Sequence, residues 1–276
     1  MNIDRDTVDS FGSEWSHFTQ ESLDKAESER LFESYFHIFP WHVLPEDAKG
    51  FDMGCGSGRW AKWVAPKVGH LSCIDPSSAA LEVARVNLSS FTNVSFINAG
   101  VADHPLAEKS QDFGYSLGVL HHVPDTKAAM RECVKFLKPR APFLVYLYYN
   151  FDNRPRWYYF AWKISDLFRR LISRLPEGLK FFITDLIATI VYFPLSRFAL
   201  FGSKLGLNVD HWILSSYRNN SYYTLRTDSR DRFGTPLEQR FSRHDIEKMM
   251  LDCGLEDIIF SNQNPFWCAV GQKKEK

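Results

Sequence analysis

The stretch Phe51-Asp52-Met53-Gly54-Cys55-Gly56-Ser57-Gly58-Arg59-Trp60 places an acid before three glycines spaced two apart, between an apolar run and a helix-like segment. A glycine-rich turn from strand to helix brings backbone close to a ligand, since no Cβ intervenes at Gly54, Gly56 or Gly58. G-x-G alone is shared with nucleotide dehydrogenases, but their fingerprint is G-x-G-x-x-G, and here the glycines run 54, 56, 58. Asp52 would repel a pyrophosphate and suits a cationic ligand. Asp75, followed by Pro76, ends the next apolar run, where a carboxylate can accept both hydroxyls of a ribose. Two carboxylates with separate tasks then fit one ligand that carries both a positive charge and a sugar. That they merely cap the following helices is the competing reading, outweighed by the combination of loop, spacing and strand context.

His121-His122 follow the apolar run that ends at Leu117 and Gly118, where open α/β sheets take their ligands. A histidine there can remove a proton from an acceptor, His122 being preferred to His121; the alternative is that the pair only orients its loop. Tyr146, Tyr148 and Tyr149 end another run, and alternation sends Tyr146 and Tyr148 to one face and Tyr149 to the other. Tyr148 joins the histidines as a catalytic candidate; Tyr146 and Tyr149 are substrate candidates. Farther along, Tyr217 and Arg218 open a segment in which Arg226, Arg230, Arg232, Arg240 and Arg243 meet Asp228, Asp231 and Glu238. Arginine forks suit a carboxylate or phosphate, which nominates Tyr217, Arg218 and Arg240 for an anionic substrate; a salt-bridged surface linker is the other reading.

These residues need elements to hold them. From Lys49 short apolar runs alternate with helix-like stretches: GFDMG, Arg59 to Val64, HLSCID, Ala79 to Leu88, VSFINA, DFGYSLGVL, Lys127 to Phe136 and FLVYLYY. That rhythm is the signature of βαβ units and a parallel sheet covered on both faces. Residues 10 to 37 read as an amphipathic helical prelude, which sets a helical lid over 1–48 and the ligand-binding core over 49–150. From 151 to 223 the alternation gives way to Trp/Tyr/Phe-rich helical stretches punctuated by Pro155, Pro176 and Pro194, an insertion expected on the substrate side. The βα rhythm returns within 224–276, with Ser242-x-x-Asp245 starting a helix that ends at Gly254 and closing strands at Leu255 to Phe260 and Phe266 to Val270.

The segment from Phe51 to Tyr149 resembles the class I (seven-strand, Rossmann-like) S-adenosylmethionine-dependent methyltransferases, specifically the ubiquinone/menaquinone-type methyltransferase domain. FDMGCGSGRW is similar to that family's first motif, the Asp75 segment to its second, and DFGYSLGVLHHVPD with the FLKP turn to its fourth and fifth. The resemblance implies an α/β fold: a Rossmann-like, seven-stranded, mostly parallel sheet with helices on both faces, an antiparallel last strand and here a helical insertion after the fifth strand. It implies S-adenosyl-L-methionine as cofactor, held by Asp52, Gly54, Cys55, Gly56, Gly58, Asp75 and Pro76, with Leu117 and Gly118 bordering it. Val101, Ala102 and Asp103 should meet the adenine, although the usual acidic-alanine pair is replaced by Gly100-Val101, which passes recognition to Asp103 or to backbone amides. FGSEWSHF is similar to a segment that folds over the pocket in relatives, nominating Trp15 and Phe18 as lid residues or, alternatively, as core.

Methyl transfer is an in-line displacement governed by alignment and desolvation, with a base optional. The expected reaction moves a methyl group to an O or N atom of a small-molecule, sugar or lipid-linked acceptor. Two rivals stay open, a nicotinamide-dependent oxidoreductase and a non-catalytic cofactor-binding interaction module. With 33 basic and 33 acidic residues in 276, no global field attracts nucleic acid, and a small-molecule partner comes first. The five cysteines show no metal-like spacing and read as reduced buried thiols. With no apolar signal region at the N-terminus, this sets a cytoplasmic expectation. Phe181 to Phe201 is long enough for a bilayer, but Asp185, Pro194 and Arg197 interrupt it, so a buried or interfacial helix with peripheral membrane contact suits it better than a span.

Overall fold

The computed structural model describes residues 2–103 and 105–275, which form two compact units. The first comprises the N-terminal segment through Gln20, Ser28–Tyr149 and the chain from Leu237 onward; the second comprises Glu21–Glu27 and Asn150–Pro236.

The first unit opens with α1 (Arg5–His17) and α2 (Lys25–Phe36), two helices where the periodicity suggested one. Asp4 caps α1 by accepting from the Thr7 amide, and the chain leaves the helix at Phe18, reaching a left-handed backbone at Gln20. The sheet follows as β1 (Lys49–Met53), α3 (Ala61–Val64), β2 (His70–Asp75), α4 (Ser78–Asn87), β3 (Val94–Asn98), β4 (Phe113–Leu117), α5 (Thr126–Phe136) and β5 (Pro142–Tyr146). Its seven strands run in the order β3-β2-β1-β4-β5-β7-β6. The first five are parallel, and β7, defined below, is antiparallel to both neighbours. Both faces are apolar because both are covered. One packs Phe32, Phe36, Trp60, Leu81 and Leu88 over Cys73, Tyr115 and Leu144; the other packs Met130, Cys133, Ile246 and Met250 over Phe51, Met53 and Phe143.

Four helices build the second unit: α6 (Arg156–Ile172), α7 (Glu177–Ile187), α8 (Phe193–Lys204) and α9 (Tyr222–Gly234). A wide π turn at Ala188–Tyr192 fuses α7 and α8 into one helix, Glu177–Lys204, of 28 residues. Pro194, which lacks an amide proton, falls just after that turn, at the start of α8. Pro155 and Pro176 stand just before α6 and α7, where the missing donor costs nothing. The unit runs on to Pro236, past the boundary at 223 suggested by the change in rhythm, because α9 packs against α6 and α7.

Back in the first unit, α10 (Arg243–Asp252) starts with the full capping box between Ser242 and Asp245. The chain closes with β6 (Leu255–Phe260) and β7 (Ala269–Lys273). The last strand begins three residues later than the apolar pattern indicates, because residues 261–268 turn tightly, the Ser261 amide donating to the Cys268 carbonyl at 2.8 Å.

Candidate functional site

The strand order reverses between β1 and β4, and a crevice outside the carboxyl ends of the strands at such a switch is where open α/β sheets bind ligands. The glycine loop leaves β1, Asp75 ends β2, Leu117 and Gly118 end β4, and Tyr146 ends β5. Tyr148 and Tyr149 lie in the loop beyond it.

The loop is fixed by its own donors. The amides of Gly54 and Cys55 both donate to the Ile74 carbonyl (2.7 and 3.0 Å), that of Gly58 donates to the Cys55 carbonyl (2.9 Å), and that of Gly56 to Asp75 Oδ2 (2.9 Å). A phosphate-binding loop keeps such donors for its anion. Here four are spent on the protein, which agrees with the glycine spacing in disfavouring a dinucleotide. Gly54, Gly56 and Gly58 all have positive φ, yet the space each spares is taken by protein: a Cβ would strike Val119 at Gly54, Trp15 at Gly56 and Leu88 at Gly58. Gly118 differs. At φ +78 it faces open space, nothing lying within 4 Å of its would-be Cβ, so it is the glycine beside which a ligand can approach.

Asp75 is 9% exposed and bound twice by backbone, from Gly56 and, at 2.8 Å to Oδ1, from Ser77. Each carboxylate oxygen has a second lone pair, leaving capacity for two hydroxyls. Burial pushes its pKa up to about 6 against those two amides, so at neutral pH it is mostly ionised and oriented. Asp52 sits in register between Cys73 of β2 and Tyr115 of β4, on an otherwise apolar face. Burial, with the Asp75 charge adding to it, raises Asp52 to about 8 although the Tyr115 hydroxyl opposes this. Its Oδ2, the Tyr115 hydroxyl and the Ser57 hydroxyl make no hydrogen bond of ordinary geometry among the described residues. Buried polar atoms left without partners mark a place prepared for something else, and a carboxyl held neutral by burial is one that an approaching cation would ionise. An ammonium and sulfonium ligand fits this chemistry; a pyrophosphate does not. Cys55, buried beside Cys73, has its thiol pKa raised by that contact and by burial, and so lines the loop as an apolar group.

Trp15, on α1, covers Gly56, and the Arg59 guanidinium lies 5.8 Å from its ring and 4.1 Å from that of Trp60. Phe18, by contrast, is 2% exposed and belongs to the core. Past β3, Val101 is buried while Ala102 and Asp103 are exposed, and Pro76 is held through its carbonyl by Asn98.

Beyond Gly118 a polar and aromatic cluster assembles. His121 is fully buried, its ring 4.0 Å from His122 and 3.9 Å from Tyr148, and neither of its nitrogens has a partner among the described residues. Burial, with the charges of His122 and Arg240, drives its pKa well down, so it is neutral. His122 Nδ1 lies 2.6 Å from the Leu237 carbonyl, to which it must donate; in the neutral ring the accepting nitrogen is then Nε2, which is buried. Arg240 stands 5.0 Å over Tyr148, pairs with Glu238 at 2.7 Å and donates to the Tyr149 carbonyl at 3.1 Å. Tyr146 and Tyr148 have ring centres 5.9 Å apart, whereas Tyr149 faces Phe266, as the alternation suggested. Sequence reading nominated Trp15 and Phe18 from FGSEWSHF but not its first residue, Phe11, which meets His122 edge-on at 4.9 Å, and it did not single out Tyr115 beside Asp52. Tyr115 had a signal in the in-register β1–β4 pairing, but only a known strand order reveals it.

Tyr217 and Arg218 belong to the other unit. There Tyr217 packs edge-on against Tyr192 and Arg218 donates to the Ser215 carbonyl at 3.0 Å.

Among known proteins, the methyltransferase domain family matches residues 51–145. A ubiquinone biosynthesis O-methyltransferase of Vibrio atlanticus (strain LGP32) is 30% identical over 179 residues, 59% of this chain and 73% of that protein. Another, from Vibrio vulnificus (strain YJ016), is 31% identical over 134 residues, 47% of this chain; the chain spans 54%, about half, of that relative's length. In fold, the crystal structure of a methyltransferase from Methanosarcina mazei aligns with a TM-score of 0.52 at 16% identity, over 87% of this chain and 99% of that one. The seven-stranded sheet and its glycine loop are those of a nucleoside-binding α/β protein. Together with these sequence matches they establish that the chain belongs to the class I methyltransferases, with S-adenosyl-L-methionine as cofactor.

Proposed function

We propose that this protein transfers a methyl group to an O or N atom of a small-molecule, sugar or lipid-linked acceptor. When bound, S-adenosyl-L-methionine supplies an electrophilic methyl carbon on a positively charged sulfur. The residues around it then have four tasks. Asp75 accepts the ribose hydroxyls, held by Gly56 and Ser77. Asp52 ionises against the positive charge that arrives. The space at Gly118 admits the ligand beside the end of β4. His122, its Nδ1 proton committed to the Leu237 carbonyl, takes the acceptor's proton at Nε2 as the new bond forms. Tyr148 and neutral His121 wall that place and exclude water, and Arg240 brings positive charge beside Tyr148 for an anionic acceptor.

The observation that carries this reading is the loop itself: its amides are committed to protein acceptors while the buried Asp52 carboxyl, with Oδ2 unpartnered, waits nearby. The names of the matched relatives support an oxygen acceptor. The test is incubation of the purified protein with radiolabelled S-adenosylmethionine and a small-molecule and lipid extract, with mass-spectrometric readout. Label should enter an extract component with wild type, not with Asp75→Ala; calorimetry should show binding of adenosylmethionine and none of a nicotinamide dinucleotide. Equal transfer by Asp75→Ala, or dinucleotide binding, would refute the assignment.

A further inference from the structure

All but four of the exposed large hydrophobic side chains among the described residues lie between Trp157 and Tyr222; the exceptions are Val43, Val86, Leu251 and Ile259. They are ordered along the helices. On α6, Trp157, Phe160, Ile164, Leu167, Phe168 and Leu171 recur at three- and four-residue spacing as one stripe, each between 48% and 64% exposed. The opposite side is polar and buried: Arg169, 5% exposed, binds Asp166 at 2.7 Å and donates to the carbonyls of Thr235 and Pro236. The long helix Glu177–Lys204 repeats the arrangement. Its inner side carries Thr184, Ala188, Ser196, Ala199 and Gly202, all buried, and its outer side Phe182, Leu186, Ile190, Phe193, Phe198 and Phe201, all more than 40% exposed. A helix dissolved in water turns its large apolar groups inward. Here Ile172, Ile183, Ile187 and Tyr192 do pack inward with Leu225 and Phe233, yet both helices also carry a full outward apolar stripe that this core leaves uncovered, as in proteins that meet lipid.

Charge identifies the occupant. Arg156, Lys163 and Arg170 lie seven residues apart and so form one row along the edge of the α6 stripe, and exposed Arg174 follows in the turn just past the helix end. The only acid on α6, Asp166, is buried and shared between Arg169 (2.7 Å) and Arg170 (2.9 Å), so Arg156, Lys163 and Arg174 keep that edge positive. A second copy of this face would bring basic row to basic row, with no acidic row to receive it. An anionic phospholipid surface accepts both halves of the pattern, hydrocarbon for the stripe and phosphate for the row. Nor does Glu177–Lys204 cross the bilayer, although it is long enough. α9 packs on its inner side, tied by Arg226–Asp185 (2.6 Å), Arg230–Glu177 (2.7 Å) and Ser229–Thr184, and a span would carry those charges into hydrocarbon. We infer that the second unit is a membrane-surface anchor, which lays the outer faces of α6 and Glu177–Lys204 in the plane of an anionic lipid interface.

Flotation of the full-length protein with lipid vesicles tests this without reference to catalysis. Wild type should float with vesicles of phosphatidylethanolamine and phosphatidylglycerol and much less with phosphatidylcholine alone. Phe160→Asp/Phe168→Asp should weaken partition by about a hundredfold, and Lys163→Glu/Arg174→Glu by about tenfold and only on the anionic vesicles. Because these side chains already face outward, the variants should keep wild-type circular dichroism and cofactor affinity, which separates lost anchoring from lost folding. Wild type remaining in the buffer fraction at excess lipid would overturn the inference, as would unaltered flotation of the aspartate variant. So would a lipid-free dimer that the same substitutions dissociate, since a second copy would then be the occupant. Protein that resists alkaline extraction from cell membranes would show a span instead and equally overturn it.

Discussion

The two units differ in how they bury ionisable groups. In the second every buried ion described above is paired: Arg169 with Asp166, Arg230 with Glu177, while half-buried Asp185 holds Arg226 with two bonds. In the first, Arg240 and Glu238 are paired in the same way, but Asp52 Oδ2 and both nitrogens of His121 are buried without a hydrogen bond among the described residues. The paired ions hold a scaffold together. Asp52 and His121, held neutral by burial, weaken the isolated protein, a cost found where a ligand is to meet such groups. Apolar groups differ too: the sheet unit keeps most of them inside, whereas the helical unit has a small core around Leu225 and Phe233 and a larger set facing outward.

Substitutions should therefore act with opposite sign in the two units. The largest effect is expected for Asp166→Ala, which strands Arg169 in the interior and should cost about 3 kcal/mol in urea unfolding. Stability within about 0.5 kcal/mol of wild type would abolish the contrast. Next, Asp75→Ala should weaken adenosylmethionine binding in calorimetry by about a hundredfold, close to 2.7 kcal/mol, since it removes the proposed ribose acceptor and releases the Gly56 amide.

Asp52→Asn should do the opposite to stability. The unfolded carboxyl ionises near the usual 3.8 and the folded one near 8, so between those values the unfolded state holds fewer protons. The cofactor-free protein thus loses stability from this group as pH rises through that window and gains it back on acidification toward pH 4. At pH 8 the asparagine variant should be more stable by on the order of 1–3 kcal/mol, with a flatter dependence of Tm on pH, while binding the cofactor about tenfold more weakly. In wild type at pH 7, cofactor binding should release a proton, measurable as a dependence of the binding enthalpy on buffer ionisation. A variant less stable at pH 8 would show that Asp52 is already paired. The smallest effect is expected for Ile190→Gln, on the outward side of the long helix, which should change stability by less than about 0.5 kcal/mol, as at a water-exposed site.

Much of this architecture was legible along the chain. Six of the seven strands fall within apolar runs of five to nine residues that the sequence pattern marks out, and the capping box at Ser242 and Asp245 marks α10, because those signals are local and set by backbone geometry. The glycine loop, Asp75 and the histidine pair lie at strand ends for the same reason. Their roles were less legible. Spacing suggested that glycines 54, 56 and 58 free room for a ligand, but Val119, Trp15 and Leu88 fill that room and Gly118 alone of these faces open space. Tyr217 and Arg218 were grouped with Arg240 by proximity in sequence, and the fold divides them between units.

The sequence by itself determined the class of fold, the order of its motifs and the identity of the residues at the strand ends, since turn geometry, strand alternation and helix caps depend on neighbours a few positions away. Tertiary structure decided which carboxyl is neutral, which histidine nitrogen keeps its lone pair and which side of each insertion helix looks outward. Those outcomes depend on burial and on partners scores of residues distant, such as Leu237 for His122 and Thr235 for Arg169. A helix's pattern shows that it has two faces, but only the element packed against it determines which one is inside.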